Sequence, residues 1–290
     1  MEISGWRHLR GVDPGRLSDA RLHAHYAIQW PARAARAFIP AQRDDSHANL
    51  GWKAALNGFE TLHLPDASHL GLNIAELSLV FSAAGFGAKR AACSLRGRSD
   101  AQVGLWVREQ ISAKALNAGL LDHPAPYALP DHAIARGGAY TADNKGGVFT
   151  ELADWFANAE MALGVAHKQI LAAGLAAPAP RLWPHHFDLA TLTSFPIAGG
   201  TQQGWVGAGF SPGDHYYDEP YFYVSIYPAI DEATLPALPP IGHWHSHEFM
   251  AAVATAGKIV AAPDPQAAVA EFLEFAITAA ISALRHRAAG

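Results

Sequence analysis

The sequence has a single cysteine, Cys93, among 290 residues. One thiol excludes a disulfide framework within the chain, and it excludes zinc or iron–sulfur sites built from several cysteines. Charged residues are scarce as well, at 16% of the chain, and no segment is rich in lysine and arginine. With a formal net charge of −5, we expect neither nucleic acid nor an anionic membrane to be a main partner.

Segments typical of export or membrane insertion are also missing. Residues 1–7 lack the basic region and apolar run of a signal peptide. No uninterrupted apolar run is long enough to cross a bilayer, because the C-terminal helix is expected to carry Glu271, Glu274 and Arg285. We therefore expect a cytoplasmic protein without a membrane partner.

What the chain does contain is enough apolar material for a large core. Hydrophobic residues make up 50% of it, which is typical of a folded globular protein. Histidine is unusually frequent, with 16 residues against 21 lysines and arginines together. This frequency favours metal or proton chemistry without proving either.

The order of apolar patterns predicts an α+β fold, with antiparallel or mixed sheets packed with helices in two similar halves that run strands first and helix after. Ser18 is a plausible N-cap for the first helix, which Pro31 should kink or divide. We expect residues 1–120 to form a helix, a hairpin, strands and a second helix. Residues 121–179 should form a Pro/Gly loop and a connecting helix, and residues 180–290 should form strands and a last helix. All three segments are expected to belong to one compact unit.

Finer signals locate individual elements. Asn57-Gly58 is typical of a hairpin with a type I′ turn. A change of phase near Ala75 predicts one strand with a bulge or break, and Ser99-Asp100 should cap a helix that stops at Gly119. In the last third, strands fit residues 182–193, 204–210, 221–227 and 243–250.

The strand at residues 221–227 has an unusual polar face. Because side chains alternate across a strand, Tyr221, Tyr223, Ser225 and Tyr227 share one face. On the preceding strand Gly207 and Gly209 share the face of Trp205, where missing side chains would let a ligand or another backbone approach. The arrangement suits a ligand that is partly apolar and partly hydrogen-bonding, although a solvent-wetted sheet face is an equal alternative.

Histidines and carboxylates border this face. His243, His245 and His247 share one side of their strand, so two of them could bind a divalent metal such as Zn. A carboxylate from Asp188, Asp214 or Glu219 would complete such a site; these carboxylates equally suit acid–base work beside aromatic rings, or a simple turn. Histidines that only serve as hydrogen-bond partners are the alternative to a metal.

Two familiar motifs fail on chemistry. Gly209-Phe210-Ser211-Pro212-Gly213 matches a nucleophile elbow as a string. The residue after the serine must donate its N–H to the oxyanion, and Pro212 has none. The glycines also lack the spacing of a dinucleotide-binding loop.

The polar segment Asp44-Asp45-Ser46-His47 is interpreted as a cap or turn, with a contribution to a site as the alternative. Together with Trp183-Pro184-His185-His186-Phe187-Asp188, Ser211-Pro212-Gly213-Asp214, Pro220-Tyr221-Phe222-Tyr223-Val224 and Gly242-His243-Trp244-His245, it resembles a family of uncharacterised bacterial proteins, a domain of unknown function. The resemblance spans nearly the whole chain. It implies no catalytic residues.

The leading hypothesis is an enzyme acting on a polar small molecule. Its acid–base or metal-binding residues would be His186, Asp188, Asp214 and Glu219. The alternatives are a non-catalytic small-molecule binder and a structural or dimerising domain; the oligomeric state is left open. The residues expected to hold the ligand are Asp45, His47, Trp205, Tyr221 and Tyr223.

Overall fold

A computed structural model describes residues 5–9, 13–83, 90–141, 147–197, 200 and 202–286. Within these residues there are helices and two antiparallel sheets, which confirms the α+β prediction. The chain divides into two compact units, each assembled from separate stretches. The N-terminal unit consists of Arg16–Asp154 and Arg181–Phe187, and the C-terminal unit of Met1–Gly15, Trp155–Pro180 and Asp188–Gly290.

The N-terminal unit begins with helix α1, Ser18–Phe38. A second helix does not start at Pro31, because α1 continues through it. The proline ring fixes a helical φ and removes only one N–H donor. Burial of Ala27, Ile28 and Ala32, each 0% exposed, holds the segment in place on both sides of the proline.

The first sheet is a five-stranded antiparallel meander in sequence order. Its alternating apolar residues, including Leu70 and Leu72, are fully buried, as the period-two pattern predicts. The strands are β1 Gly51–Lys53, β2 Gly58–Glu60, β3 His69–Asn73, β4 Ser78–Ser82 and β5 Arg90–Ser94.

The hairpin at Asn57 is confirmed, but its predicted type I′ turn is wrong. Lys53 pairs with Gly58, so four residues form the loop, and Ala54–Leu56 make a 3-10 turn before left-handed Asn57 (φ 54°). Gly58 is a strand residue whose added Cβ would lie 1.8 Å from the carbonyl oxygen of Leu72. The glycine is needed for the close approach of β3 and not for the turn.

The expected break near Ala75 is a second hairpin. Asn73 pairs with Ser78, and the chain reverses through residues 74–77, where Leu77 has a positive φ of 47°. The change of phase in the apolar pattern therefore marks two antiparallel strands and not one bulged strand. Strand β5 follows and pairs with β4.

Helix α2, Asp100–Ser112, is capped at Ser99 as predicted, and the cap is a capping box. The Ser99 hydroxyl accepts from the N–H of Gln102, whose side chain accepts from the N–H of Ser99. The helix does not extend to Gly119. Ala115 takes a left-handed φ of 58°, and the N–H of Leu116 donates across it to the carbonyl of Ile111, which ends the helix.

The predicted strand at residues 182–193 is interrupted. Strand β6, Arg181–Trp183, belongs to the N-terminal unit, and β7, Asp188–Ile197, to the C-terminal unit. Between them Pro184 begins a turn that closes when Phe187 N–H donates to the Trp183 carbonyl at 2.8 Å. Left-handed Phe187 (φ 60°) completes the turn.

The strands of the C-terminal unit are β7 Asp188–Ile197, β8 Gln202–Ser211, β9 Tyr221–Tyr227, β10 Gly242–His245 and β11 Met250–Thr255. They follow the order β10-β11-β9-β8-β7. The single strand expected at residues 243–250 is wrong, since a turn containing Glu248 (φ 66°) separates two strands. The helices of this unit are α3 Val148–Ala172, α4 Ala256–Val260 and α5 Pro265–His286. The first residues of α3 belong to the N-terminal unit.

One face of this sheet is the core of the C-terminal unit. Phe210 and Phe222 are both 0% exposed, with ring centroids 5.1 Å apart. Phe156 of α3 meets Phe210 edge-on at 5.3 Å, and Phe272 of α5 is fully buried. Each such ring contributes about 2–3 kcal/mol by leaving water. The opposite face of the same strands is therefore the one available for polar chemistry.

Helix α5 is, among the described residues, long and apolar enough to cross a membrane by length and composition, with a mean hydropathy of 1.7. The sequence prediction concerned uninterrupted apolar runs, and Glu271 and Glu274 interrupt this one. Half of that stretch is buried within the protein, as in the core helix of a globular fold. The cytoplasmic location stays a prediction.

Candidate functional site

The residues predicted for a site fall into both units, and each group is described within its own unit. Asp45, His47 and His186 belong to the N-terminal unit. The others belong to the C-terminal unit, where they lie on or beside the sheet: Asp188, Trp205, Asp214, Glu219, Tyr221, Tyr223, His243 and His245.

The sheet register explains the glycines of β8. Gly209 pairs with Tyr223 and Gly207 with Ser225. A Cβ on Gly209 would lie 2.4 Å from the Tyr223 phenol, and one on Gly207 would lie 2.6 Å from the Ser225 hydroxyl. The space over these glycines was expected to admit a ligand or another backbone; side chains of β9 fill it instead.

Buried Tyr221 and partly buried Tyr223 both donate hydrogen bonds to carboxylates. Tyr223 donates to Asp188 Oδ2, and Tyr221 donates to Asp214 Oδ2 at 2.5 Å. Burial, followed by the adjacent carboxylates, raises the pKa of both phenols above the ordinary value. The phenols therefore stay protonated and act as donors, not as bases.

Asp214 and Glu219 also have structural roles. Asp214 Oδ1 accepts from the backbone N–H groups of Tyr216 and Tyr217, at 2.8 and 3.1 Å, which fixes the turn before β9. Glu219 Oε2 accepts from the N–H of Gly257 at 2.6 Å, at the start of α4. These bonds account for both side chains without a substrate.

His243 and His245 are linked through the hydroxyl of Tyr217, which lies 2.9 Å from His243 Nε2 and 2.9 Å from His245 Nδ1. His245 Nε2 lies 2.7 Å from the carbonyl of His247, so this nitrogen is the donor and Nδ1 accepts from Tyr217. The oxygen of Tyr217 then accepts from His243 Nε2. A metal bound to these two nitrogens would have to displace the hydroxyl.

Within the described ranges, one group of three side chains has its ligand atoms close enough for a metal: Asp19, His23 and His132, within 4.8 Å of one another. The sequence interpretation did not find it. His23 Nδ1 lies 3.0 Å from the carbonyl of Asp19 and donates to it, while His23 Nε2 accepts from Thr141 at 2.8 Å. His132 Nδ1 accepts from the N–H of Ile134. These hydrogen bonds already occupy the lone pairs that a metal would need.

The N-terminal unit holds a second polar group, here named the Tyr127 cluster: Gln29, Arg36, Asp45, Tyr127 and His185. Tyr127 donates to Gln29 Oε1 at 2.9 Å. The amide of Gln29 donates in turn to the carbonyl of Pro184 at 2.9 Å. Arg36 lies over the Tyr127 ring, 5.6 Å from its centroid, and donates to Asp45 Oδ2 at 2.9 Å. Helix α1 thus holds the cluster together.

The segment at residues 44–47 serves as both a turn and a contributor to this cluster. Asp44 Oδ1 accepts from the N–H of Ser46 at 3.1 Å, as an Asx-turn does. Asp45 turns its carboxylate to Arg36 instead. His47 Nδ1 accepts from the N–H of Gln42 at 3.1 Å, and its Nε2 lies 3.7 Å from Asp45 Oδ1.

His185, which was not among the predicted residues, lies in the cluster, whereas predicted His186 is exposed. The His185 ring lies 5.6 Å from that of Tyr127 and 4.0 Å from that of His186. Burial, then the neighbouring His186, lowers the pKa of His185 to about 4. His185 is therefore neutral at pH 7, and its ring makes no hydrogen bond to any residue that the structure describes.

Two arginines of α1, Arg33 and Arg36, each have a side-chain donor without a hydrogen-bond partner among the described residues. Arg33 and Arg36 are three residues apart and so lie on neighbouring positions of one helix face. The Nε atom of each is buried without a hydrogen-bond partner among the described residues. A buried donor without an acceptor costs about 1–3 kcal/mol. Neither Nε is exposed, so any ligand would have to bind the other nitrogens of the two guanidinium groups.

Residues 180–288 match a family described as "Family of unknown function (DUF5996)". The match confirms the predicted domain of unknown function over this segment and leaves residues 1–179 outside it. No curated protein matches the chain. No solved structure matches it either.

Proposed function

We propose that the protein is an enzyme acting on a polar small molecule, and that the Tyr127 cluster is its site. One observation carries the proposal: His185 is a half-buried, neutral imidazole without a hydrogen-bond partner in the described chain, while its neighbours are fixed by hydrogen bonds. Neither ring nitrogen of His185 is among the fully buried atoms that lack a partner, so solvent or a ligand can reach them. A ligand would supply the missing partner.

The cluster offers three complementary groups. Neutral His185 presents one acceptor and one donor nitrogen. Tyr127 stays protonated, because burial raises the pKa of its phenol, and Arg36 supplies a positive charge. An anionic group bound beside Arg36 would also favour the charged form of His185 and raise its pKa. Substrate binding would thereby make the neutral imidazole a stronger proton acceptor at neutral pH.

A non-catalytic binder at the same cluster is the second candidate. A general base works best when its pKa lies near the working pH, and a pKa of about 4 is well below that. If binding does not raise the pKa of His185, the imidazole can only form hydrogen bonds with the ligand. An enzyme and a non-catalytic binder therefore differ in one measurable quantity, the pKa of His185 when the ligand is bound.

The test uses histidine-labelled protein and a panel of acetate, citrate, inorganic phosphate and pyrophosphate. Binding is measured by calorimetry, and the pKa of His185 by NMR with and without the tightest binder. We expect His185→Asn and Tyr127→Phe to weaken binding roughly tenfold, since each removes a hydrogen bond worth about 1–1.5 kcal/mol. His123→Asn, at an exposed histidine of the same unit, should leave it unchanged.

The outcomes separate the candidates. A pKa of His185 that rises toward neutrality on binding supports the enzyme, and an unchanged pKa with weakened binding in His185→Asn supports the binder. Equal affinity of wild type, His185→Asn and Tyr127→Phe for every bound anion would remove the cluster as a site.

A further inference from the structure

A cavity of about 870 Å³ lies within the N-terminal unit, between α1, α2 and residues 129–137. This volume is typical of sites for small organic ligands. Most of its wall is apolar, and Gln29, Arg33 and Arg108 supply polar groups. The apolar wall includes Tyr26, Trp30, Leu105, Leu129 and Ile134.

The two arginines of the wall differ in their pairing. Arg108 is bound to the Asp122 carboxylate and to the carbonyl of Ala118. Arg33 lies over the Trp30 ring, 4.8 Å from its centroid, and forms no ion pair with a described residue. Its buried Nε has no acceptor within the described part of the chain. The cavity therefore contains one guanidinium that forms no ion pair with a carboxylate of the described residues.

The carboxylate in the wall does not neutralise Arg33. Asp100 Oδ1 accepts from Trp30 Nε1 and from the Tyr140 hydroxyl, both at 2.8 Å. Asp100 is also the first residue of α2, where the helix dipole stabilises a negative charge. The negative charge of Asp100 is thus compensated by these neighbouring groups. Among the described residues, no ion pair with an N···O distance of 4.0 Å or less joins Asp100 to Arg33.

We infer that this cavity binds an organic anion, with its carboxylate, sulfonate or phosphate group at Arg33 and an apolar or aromatic body against Trp30 and Leu129. A guanidinium held over an indole is a rigid donor fork for such a group. The inference goes beyond the proposed function, because neither Tyr127 nor His185 lines this cavity. Gln29 lines it and also accepts a hydrogen bond from Tyr127.

The probe is 1-anilinonaphthalene-8-sulfonate, which joins an aromatic body to one anionic group. Its neutral counterpart, N-phenyl-1-naphthylamine, has a closely similar body without the charge. Fluorescence titration of both dyes against the full chain separates the contribution of Arg33 from that of the apolar wall. We expect Arg33→Gln to weaken binding of the sulfonate roughly tenfold or more, and that of the amine by less than twofold.

Two further variants control this result. Arg96→Gln makes the same charge change at an exposed position outside the cavity and should change neither affinity. Ala135→Trp places a large ring in the cavity from an exposed turn and should weaken both dyes. Circular dichroism and thermal unfolding verify that each variant is folded. If Arg33→Gln does not fold, Arg33→Lys, which keeps the positive charge, is tested in its place.

Unchanged sulfonate affinity in Arg33→Gln, or in Arg33→Lys and Ala135→Trp together, would overturn the inference. An equal loss of both dyes in folded Arg33→Gln would overturn it too, because the charge would then not matter. The variant His185→Asn distinguishes the two proposals. If Arg33→Gln weakens binding of the sulfonate while His185→Asn changes the affinity for no ligand, the cavity is supported as a binding site and the Tyr127 cluster is not.

Discussion

Leu50 and Leu182 exchange two backbone hydrogen bonds, at 3.1 and 2.9 Å. The bridge is antiparallel and joins segments that are 132 residues apart in sequence (182 − 50). It places the turn that carries Asp45 beside the strand that leads to His185. The bridge thus brings together two motifs of the N-terminal unit that both contribute to the Tyr127 cluster.

Loss of the Tyr127 hydroxyl should destabilise the protein. Tyr127→Phe leaves Gln29 Oε1 without its donor, and we expect the free energy of unfolding to fall by about 1 kcal/mol. Urea denaturation measures this value. Tyr227→Phe, at a side chain that is 60% exposed, is the matched control and should have no effect. Equal stability of the two variants would show that the Tyr127–Gln29 bond contributes nothing.

Stability should fall between pH 6.5 and pH 4 because of His25. Burial lowers the pKa of this histidine to about 4, while its imidazole donates to the carbonyl of Pro184. The unfolded chain binds a proton near pH 6.5 and the folded chain does not, so acid favours unfolding through this window. A shift from 6.5 to about 4 corresponds to about 3 kcal/mol at full extent.

His25→Gln tests this linkage. The variant should lose some stability at pH 7, yet its further loss on moving to pH 4.5 should be smaller than that of wild type by about 2–3 kcal/mol. Urea unfolding at both pH values provides the measurement. His123→Asn should follow the wild-type pH dependence, and a parallel course of His25→Gln and wild type would contradict the assigned pKa.

The sequence predicted best those features that follow from local periodicity. Alternation along residues 221–227 indicated which side chains share a face, and β9 has these bounds. The cap at Ser99 was also predicted, because its signal lies within a few neighbouring residues. In these segments the local preference and the tertiary structure agree.

The candidate site was harder to predict because it depends on turns and long-range contacts. Alternation favoured His186, yet residues 184–187 form a turn in which strand parity does not apply, so His185 faces the cluster. Tyr127 lies in a Pro/Gly/His-rich segment without periodicity, and its partner Gln29 is 98 residues away. No local pattern encodes such a contact.

Gly209 should not tolerate a side chain. In Gly209→Ala the new Cβ would overlap the phenol of Tyr223, so we expect a loss of about 1–3 kcal/mol in unfolding free energy. In a double-mutant cycle, adding Tyr223→Ala should remove most of that penalty. Gly164→Ala in α3, where a Cβ meets nothing within 4 Å, should instead stabilise the protein by up to about 1 kcal/mol. Additive effects of the two changes at positions 209 and 223 would refute the overlap.

The hydrogen bonds of Tyr217 predict how His243 and His245 respond to a metal. In the free protein we expect the Nε2–H tautomer at His245, because its Nε2 donates to a carbonyl and its Nδ1 accepts from Tyr217. Nitrogen-15 NMR of labelled histidine identifies that tautomer directly. Equimolar Zn²⁺ should leave the His245 tautomer of wild type unchanged, because the Tyr217 hydroxyl lies between His243 Nε2 and His245 Nδ1, the two nitrogens that a metal would need. The variant Tyr217→Phe lacks this hydroxyl and should therefore bind Zn²⁺ more tightly than wild type does. Tyr227→Phe should respond as wild type. Ligation of Zn²⁺ by wild-type His243 and His245 would instead establish the metal site and show that Tyr217 moves aside to admit it.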